Sequence, residues 1–547
     1  MGIGMTCKAD TCPFQFRVDY PLHPTAPQMQ EYFDSYASHF DLHGHVHYNS
    51  TVKRVTRNTS KDAWDVRVTN QEGDITLSFD KVVFGHGSQT VPVWPAMPNR
   101  NKFKGEVIHS QAYRSPEPYR GKKVLVVGIG NTACDISLSL RKHATKVYQS
   151  YRRGRMMVSR CTEEGIPMDS VLSWPMMRLK YFLDEKMPWL MAPIADKVMT
   201  NKMIIDTARF GLATRGLARS EGLKRAAHKL EVDWRLLPGP SISRVHPTVQ
   251  EDFIPALEEG DITPVRGFKE FVGDDQVLLD DDTTVEADVV IFCMGYEIDF
   301  SIFPELEMDG SGAVPLKRVG DEFRGSAKDQ DETEEDRDGS EKPRIPRLFQ
   351  MIFPPRWASS VAFLSWMAPQ EPVWSVCELA SMAIAQIWAA ETTKSAEKQP
   401  LAKSPRSPAL LPSLDEMNAQ VNAYHDWWRG GWEKDHSMLP GYIKSYSFYR
   451  FLHEAAGTGI YDNIDHMFTG RGWGLWWYDH ELWTWLAKGP MNNHSWRLFE
   501  TNPDAVPGCG RKTWPEARKA MREEADPLTF YQYETYEEYK LQAQSRH

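Results

Sequence analysis

Apolar and polar positions alternate along this chain in several distinct rhythms. Residues 28–40 place Tyr32, Phe33, Tyr36 and Phe40 at helical spacing, and residues 46–83 then alternate in the two-residue period of paired strands. Next comes a short continuous apolar run, Lys122 to Val127, which predicts a strand buried on both faces. It enters Gly128-Ile129-Gly130-Asn131-Thr132-Ala133, and a helical period resumes from about Asn131 to Lys142. A further strand, Lys146 to Tyr151, completes a βαβ unit of about 30 residues. Residues 174–230 read as several helices rich in Met, Leu and basic residues, and two strands near 277–279 and 288–293 lead into Gly295. Strands alternating with helices predict an α/β protein with a parallel sheet.

Composition narrows the class. The chain has 547 residues, 12% of them aromatic, and a formal net charge of −10, which argues against disorder and against general attraction to nucleic acid or an anionic surface. Its seven cysteines, at 7, 12, 134, 161, 293, 377 and 509, are too sparse for a disulfide framework, so a reducing, cytoplasmic setting is expected. No transmembrane segment is expected, because the longest apolar stretch, Phe363 to Ala390, carries Glu371 and Glu378. Asp329 to Glu341 has eight acidic residues in thirteen and reads as part of a disordered insertion over about 319–342, and 393–413 reads as a Pro/Ser/Lys linker. Ten of the 19 tryptophans fall between Trp427 and Trp514; this region is read as core packing, with a channel lining for a bulky substrate as the alternative. Met156-Met157 and Met176-Met177 are likewise read as packing.

The chemistry centres on the glycine turn. Where a strand passes through Gly-x-Gly-x-x-Ala into a helix, the backbone can approach a pyrophosphate, and the helix N-terminus supplies free N–H donors. Gly128 permits the tight turn, Gly130 the close approach, and Ala133 the packing of helix on strand; Asn131 and Thr132 lie in the first turn. At the end of the second strand a cofactor with a free ribose 2′-hydroxyl usually meets Asp or Glu. Here Arg152 and Arg153 follow Tyr151, and guanidinium groups suit a 2′-phosphate, so NADP is favoured over NAD. A solvated basic turn is the alternative. No Ser-His-Asp set and no metal cluster shows convincing spacing.

Upstream, Phe103, Gly105, His109 and Tyr113 fit FxGxxxHxxxY, a pattern that resembles the signature of flavin-containing monooxygenases, the class B flavoprotein oxygenases. The resemblance takes in Phe16 to Pro21, Val83 to Ser88, the signature, the glycine turn, Ser159-Arg160, Ile291 to Tyr296 and Phe363 to Ala390, and reaches Trp496 to Leu498 and Trp514 to Arg518. It implies two Rossmann-like dinucleotide-binding domains, with an FAD domain split around the NADP domain, and a mostly helical Trp-rich C-terminal region. The implied divisions are 1–114 (partial FAD-binding), 115–295 (NADP-binding with a helical insertion), 296–392 (return to the FAD domain), 393–413 (linker) and 414–547. The implied reaction uses NADPH, FAD and O₂: a C4a-hydroperoxyflavin oxygenates a nucleophilic nitrogen or sulfur of a small organic substrate. Gly85, Gly295 and the Phe363 to Pro372 edge would lie on the flavin side, and His109 would have a structural, domain-coupling role. Tyr113 favours heteroatom oxygenation over Baeyer-Villiger oxidation of a ketone, whose related signature usually ends in Trp or Pro. No nucleic-acid partner is implied, and a homo-oligomer is left open.

One family element is not found. The first GxGxxG, which holds the FAD pyrophosphate, and its strand have no counterpart, since Gly2-Ile3-Gly4-Met5-Thr6 has no strand before it. Aligned at Pro21, the FAD portion is expected to be incomplete by about 55 to 60 residues, the length of a βαβ unit and its lead-out. The expectation is an incomplete recorded sequence or, alternatively, a degenerate NADP-binding homologue, and poor FAD binding by this exact chain. Cys7 and Cys12 have the CxxxxC spacing of a disulfide reductase, but Pro13 follows at once and no FAD turn precedes them.

Overall fold

The computed structural model describes residues 26–159, 172–210, 214–308, 345–364, 366–392, 411–464, 471–489, 491, 493–499 and 516–525. The acidic segment 319–342, linker residues 393–410, the two N-terminal cysteines and the segments Gly2 to Thr6 and Phe16 to Pro21 lie outside the described residues, as do Arg160 and Trp514.

The expected parallel sheet is present, with five strands in the order Ile262–Val265, Lys146–Ser150, Lys123–Val127, Val289–Phe292 and Glu106–His109, all parallel. Its central strand is apolar throughout because each face meets a different layer. Val124 and Val126, with Val289 and Ile291, pack under the helix Asn131–Leu140 and its neighbours. Leu125 and Val127, with Val290 and Phe292, pack under an antiparallel meander of Phe268–Phe271, Gln276–Leu279 and Thr284–Glu286. Burying each such side chain is worth about 1.5–3 kcal/mol, so central strands with both faces covered lose their alternation in sequence. The edge strand Glu106–His109 comes from the signature segment, upstream of residue 115.

The remaining described residues build a larger core. An antiparallel sheet of Thr51–Asn58, Ala63–Asn70 and Gly73–Phe79 leads into Val82–Phe84, which pairs in parallel with Val361–Phe363. Phe84 and Phe363 stack at 4.5 Å between ring centroids. Trp64 is fully buried against Phe303 and Trp357 and donates from Nε1 to Ser360 Oγ at 3.1 Å. The helices Val373–Thr392, Leu414–Trp432 and Ser445–Ala456 close this core. The second of them is started by a reciprocal capping box between Ser413 and Glu416. A short antiparallel pairing of Val91–Pro92 with Tyr296–Glu297 carries the chain between the two cores.

Three expectations about apolar residues are refined. Trp428, Trp432 and Trp496 are core residues, but Trp473 and Trp477 are exposed, so the Trp-rich region is only partly a packing device. Met156, Met157 and Met177 are buried, whereas Met176 is 46% exposed, because it lies on the outer face of the helix Trp174–Lys186 with Leu179 and Phe182. Among the described residues one helix, Val373–Glu391, is long and apolar enough to cross a membrane, and half of it is buried inside the protein. Its Val376, Leu379, Ala380, Ala383, Ile384 and Ile387 belong to the larger core.

Phe363→Ala would remove a fully buried ring from the seam between two parallel strands and should cost about 3–5 kcal/mol. Thermal or denaturant unfolding should show a clearly lowered midpoint; an unchanged midpoint would show that this stack does not hold the larger core.

Candidate functional site

The glycine turn sits where the strand order reverses. From Lys123–Val127 the chain moves to Lys146–Ser150 and Ile262–Val265 on one side, then returns to Val289–Phe292 on the other. In open α/β sheets the crevice beyond the strand ends at such a point is where ligands bind. Gly128 has φ +130°, and a Cβ there would lie 2.7 Å from the Cys293 carbonyl oxygen, so close approach of the two strand ends requires glycine. At Gly130 a Cβ would meet nothing within 4 Å. Open space therefore lies over the N-terminus of Asn131–Leu140, whose first turn carries no acidic residue and whose cap has no side-chain partner. Ala133 is fully buried behind it, and Thr132 is exposed.

The turn is braced from below and from the side. Its Gly128 N–H donates to Ser150 O at 2.9 Å, and buried Gln149 donates from Nε2 to Gly128 O while accepting from Ser137 Oγ. A second brace is Thr248–Gln250, which extends a parallel pairing with Met157–Val158. Thr248 Oγ1 donates to Ile129 O at 3.3 Å, Val249 N–H to Asn131 Oδ1 at 3.0 Å, and Gln250 Nε2 to Asp135 Oδ1 at 2.8 Å. The Asn131 side chain is thus committed to the brace, and its backbone N–H is what it offers to a ligand. This brace was not foreseen; the only sequence signal is a short polar stretch about 120 residues downstream of the turn.

The signature residues are dispersed around the sheet as structural ties. Phe103 packs on Phe271 of the meander at 4.7 Å. Gly105 lies beneath the Asp288 carbonyl, and a Cβ there would fall 2.5 Å from that oxygen. His109 is buried at the end of the edge strand; its Nδ1 accepts from the Gln111 N–H at 3.1 Å, and its ring touches Trp94 and Tyr296. Its Nε2 has no partner in hydrogen-bond geometry, although the Gly295 backbone lies close enough to favour the protonated ring; burial outweighs that and lowers the pKa. Tyr113 shares a 2.5 Å hydrogen bond with Ser139 on the outer turns of Asn131–Leu140 and stacks on Tyr119. The structure therefore brings His109 to Gly295 but places Phe103 and Tyr113 away from the crevice.

Arg152 and Arg153 follow the end of the Lys146–Ser150 strand, as expected, and both are held. Arg152 Nε donates to Asp280 Oδ2 at 2.8 Å and Nη2 to Phe268 O at 2.9 Å. Arg153 Nη1 donates to Asp435 Oδ1 and Ser437 Oγ, each at 3.0 Å. The open cradle, the helix N-terminus and two arginines fit a dinucleotide with a 2′-phosphate. Gly85 follows Val82–Phe84 and Gly295 has φ +85°, each with open space around it. Among the described residues no second glycine turn opens a helix beside them.

Polar contacts also join the half of the molecule built on the parallel sheet to the C-terminal helices. Tyr442 OH donates to Ile242 O and accepts from Gln370 Nε2, both at 3.3 Å, and Lys180 Nζ donates to Gln370 Oε1 at 2.8 Å. Beside them Glu371 accepts from Tyr181 OH at 2.6 Å. Burial pushes its carboxyl up to about 7, against the Tyr181 and Tyr449 hydrogen bonds and the charge of Lys180. His246, packed on Tyr442, is pushed down to about 4, chiefly by burial and then by Arg155 and Lys180.

A family model for flavin-binding monooxygenase-like proteins matches residues 3–310. Monooxygenase aurF of Gibberella zeae is 28% identical over 510 residues, covering 93% of this chain and 84% of that protein. Dimethylaniline monooxygenase 4 (N-oxide-forming) of Mus musculus is 30% identical over 307 residues, 55% of this chain and 49% of its own length. Flavin-containing monooxygenase 1 of Homo sapiens is 28% identical over 313 residues, 55% of this chain and 53% of its own. The chain thus spans about half the length of these two mammalian relatives. Among solved structures, open cyclohexanone monooxygenase aligns with a TM-score of 0.49 and 16% identity over 83% of this chain and 88% of that one. S-allyl-L-cysteine S-oxygenase from Allium sativum aligns with 0.48 and 16% over 100% and 81%.

Two outcomes test this geometry. Gly128→Ala should destabilise the protein by about 1–3 kcal/mol, since its Cβ meets Cys293 and its φ is strained, whereas Gly130→Ala should cost no more than about 1 kcal/mol. Equal unfolding midpoints for the two variants would show that the strand ends are not in fixed approach. Because the folded-state pKa of Glu371 lies above its ordinary value, its contribution to stability is complete below about pH 4.5 and is lost as pH rises through about 7. Glu371→Gln should therefore gain stability relative to the parent protein across that window; a pH-independent difference would show that this carboxyl does not titrate there.

Proposed function

The chain belongs to the flavin-binding monooxygenase-like family, and from that premise we propose that it is an NADPH-dependent monooxygenase acting on a nucleophilic nitrogen or sulfur of a small organic molecule. The observation that carries the reading is the glycine turn at the switch point, with open space over Gly130 and two arginines at the end of the next strand. In this reading the backbone N–H groups of Asn131 and Thr132, at the positive end of the helix dipole, bind the pyrophosphate of NADP. Gly130 lets it approach, Gly128 brings the Cys293 to Gly295 strand end against the same crevice, and Ala133 seats the helix on the sheet. Arg152 and Arg153 bind the 2′-phosphate. A flavin, FAD by kinship, supplies activation of O₂ when bound, and Gly85, Gly295 and the Phe363 to Pro372 edge are the residues of this chain nearest that role.

His109 acts as a tie. Its Nδ1 is engaged within its own turn and its ring is walled by Trp94 and Tyr296, so it holds the edge strand against Gly295 and carries no proton to substrate. Tyr113, which ends the signature, supports heteroatom oxygenation in preference to oxidation of a ketone.

Replacing both Arg152 and Arg153 by Ala should raise the KM for NADPH by about 10- to 100-fold, or about 1.4–2.8 kcal/mol, and leave that for NADH within a few fold. The assay is cofactor oxidation with an amine or sulfide substrate and detection of the N- or S-oxide. Equal losses for NADPH and NADH would overturn the 2′-phosphate assignment, and ester formation from a ketone with no heteroatom oxide would overturn the substrate class.

A further inference from the structure

Both arginines at the strand end are gripped from behind by carboxylates that are remote in sequence. The Arg153 side chain is 58% exposed, while that of Asp435, its partner, is only 5% exposed. Asp435 therefore sits inside and the guanidinium outside. Two contacts, Nη1 to Oδ1 at 3.0 Å and Nη2 to Oδ2 at 3.4 Å, join them as a fork, and Ser437 Oγ takes the second Nη1 proton. Asp435 is in turn fixed by the Ser437 N–H, which donates to Oδ1 at 3.0 Å. Burial alone would raise its pKa, but the contacts with Arg153 and Ser437 outweigh it, so the group stays ionised. Arg152 repeats the arrangement: its side chain is 70% exposed, and Asp280, half as exposed, holds Nε. Arg153 keeps its Nε–H and one Nη2 proton unused, and Arg152 keeps its Nη1 protons and one on Nη2.

An exposed arginine held in one rotamer surrenders less entropy when it binds a phosphate than one whose side chain is free to rotate. The Asp435 carboxylate is screened behind the guanidinium, which is the exposed partner. We propose that Asp435 is a specificity-determining positioning residue: from the C-terminal region it fixes Arg153 for the 2′-phosphate of the nicotinamide cofactor, with Asp280 doing the same for Arg152. This rests on the NADP reading of the glycine turn given above. It makes cofactor choice a property shared by the βαβ unit and by a residue 282 positions away.

The test compares kcat/KM for NADPH with that for NADH in the full chain, and binding of 2′,5′-ADP with binding of 5′-ADP. Asp435→Asn should lower the NADPH-over-NADH ratio about 5- to 20-fold and weaken 2′,5′-ADP selectively, while Asp435→Glu, which keeps the carboxylate, should recover most of the ratio. In an Arg153→Ala background Asp435→Asn should have no further effect on the ratio, an outcome that a merely structural role would not produce. An unchanged or increased ratio in Asp435→Asn, or undiminished effects in the Arg153→Ala background, would overturn the proposal. Should Asp435→Asn fail to fold, Asp280→Asn provides the same reading at Arg152, and an unchanged ratio there would count against the proposal equally. A parent protein with no preference for NADPH over NADH would instead sink the 2′-phosphate reading on which this one stands.

Discussion

The half of the molecule built on the parallel sheet depends on one close approach. Where the Lys123–Val127 and Val289–Phe292 strands end side by side, the Cys293 carbonyl presses against Gly128, and no side chain fits between them. That contact fixes where the turn leaves the sheet, and with it the direction of the Asn131–Leu140 axis and the open ground over Gly130. Much of the surrounding hydrogen bonding preserves it: Gln149 holds the Gly128 carbonyl, Ser150 the Gly128 N–H, and Thr248 the Ile129 carbonyl. Polar groups so close to a sheet end would be costly if left unpaired, and here each is paired by a neighbour that also stiffens the turn.

The signature segment extends the same logic outward. Phe103, Gly105, His109 and Tyr113 each join a different layer: the meander, the strand before the crossing, the crossing itself and the outer turns of the helix. In this structure the four residues serve as ties between packed layers. His109 shows this well, because its depressed pKa follows from burial among aromatic rings and requires no substrate.

What was legible from sequence was local. The strand, turn and helix from Lys123 to Leu140 could be read because a run buried on both faces loses its alternation and a glycine pair marks the turn. The insertion of Val289–Phe292 between Lys123–Val127 and Glu106–His109 could not be read, since strand order is decided by packing among segments more than 150 residues apart. Nor could the commitment of the Asn131 side chain to the Val249 N–H, or the grip of Asp435 on Arg153, because neither leaves a periodic trace. Met176, Trp473 and Trp477 misled for a related reason: composition says that a residue is apolar but not which face of its helix meets protein.

Polar contacts tie the half of the molecule built on the parallel sheet to the C-terminal helices. Tyr442 bridges Ile242 and Gln370, Arg153 reaches Asp435, and Ser447 donates to Glu185. Neutral bonds of this kind contribute about 0.5–1.5 kcal/mol each net of water, and those to charged groups about 1.5–3 kcal/mol. Within the larger core the Tyr181 and Tyr449 rings meet at 5.3 Å. The Trp-rich region is therefore joined to the sheet-bearing half at the strand end that carries the arginines. Lys180, which is hydrogen-bonded to Gln370 and close enough to Glu371 to favour its ionised form, ties the helix Trp174–Lys186 to the edge that carries Glu371.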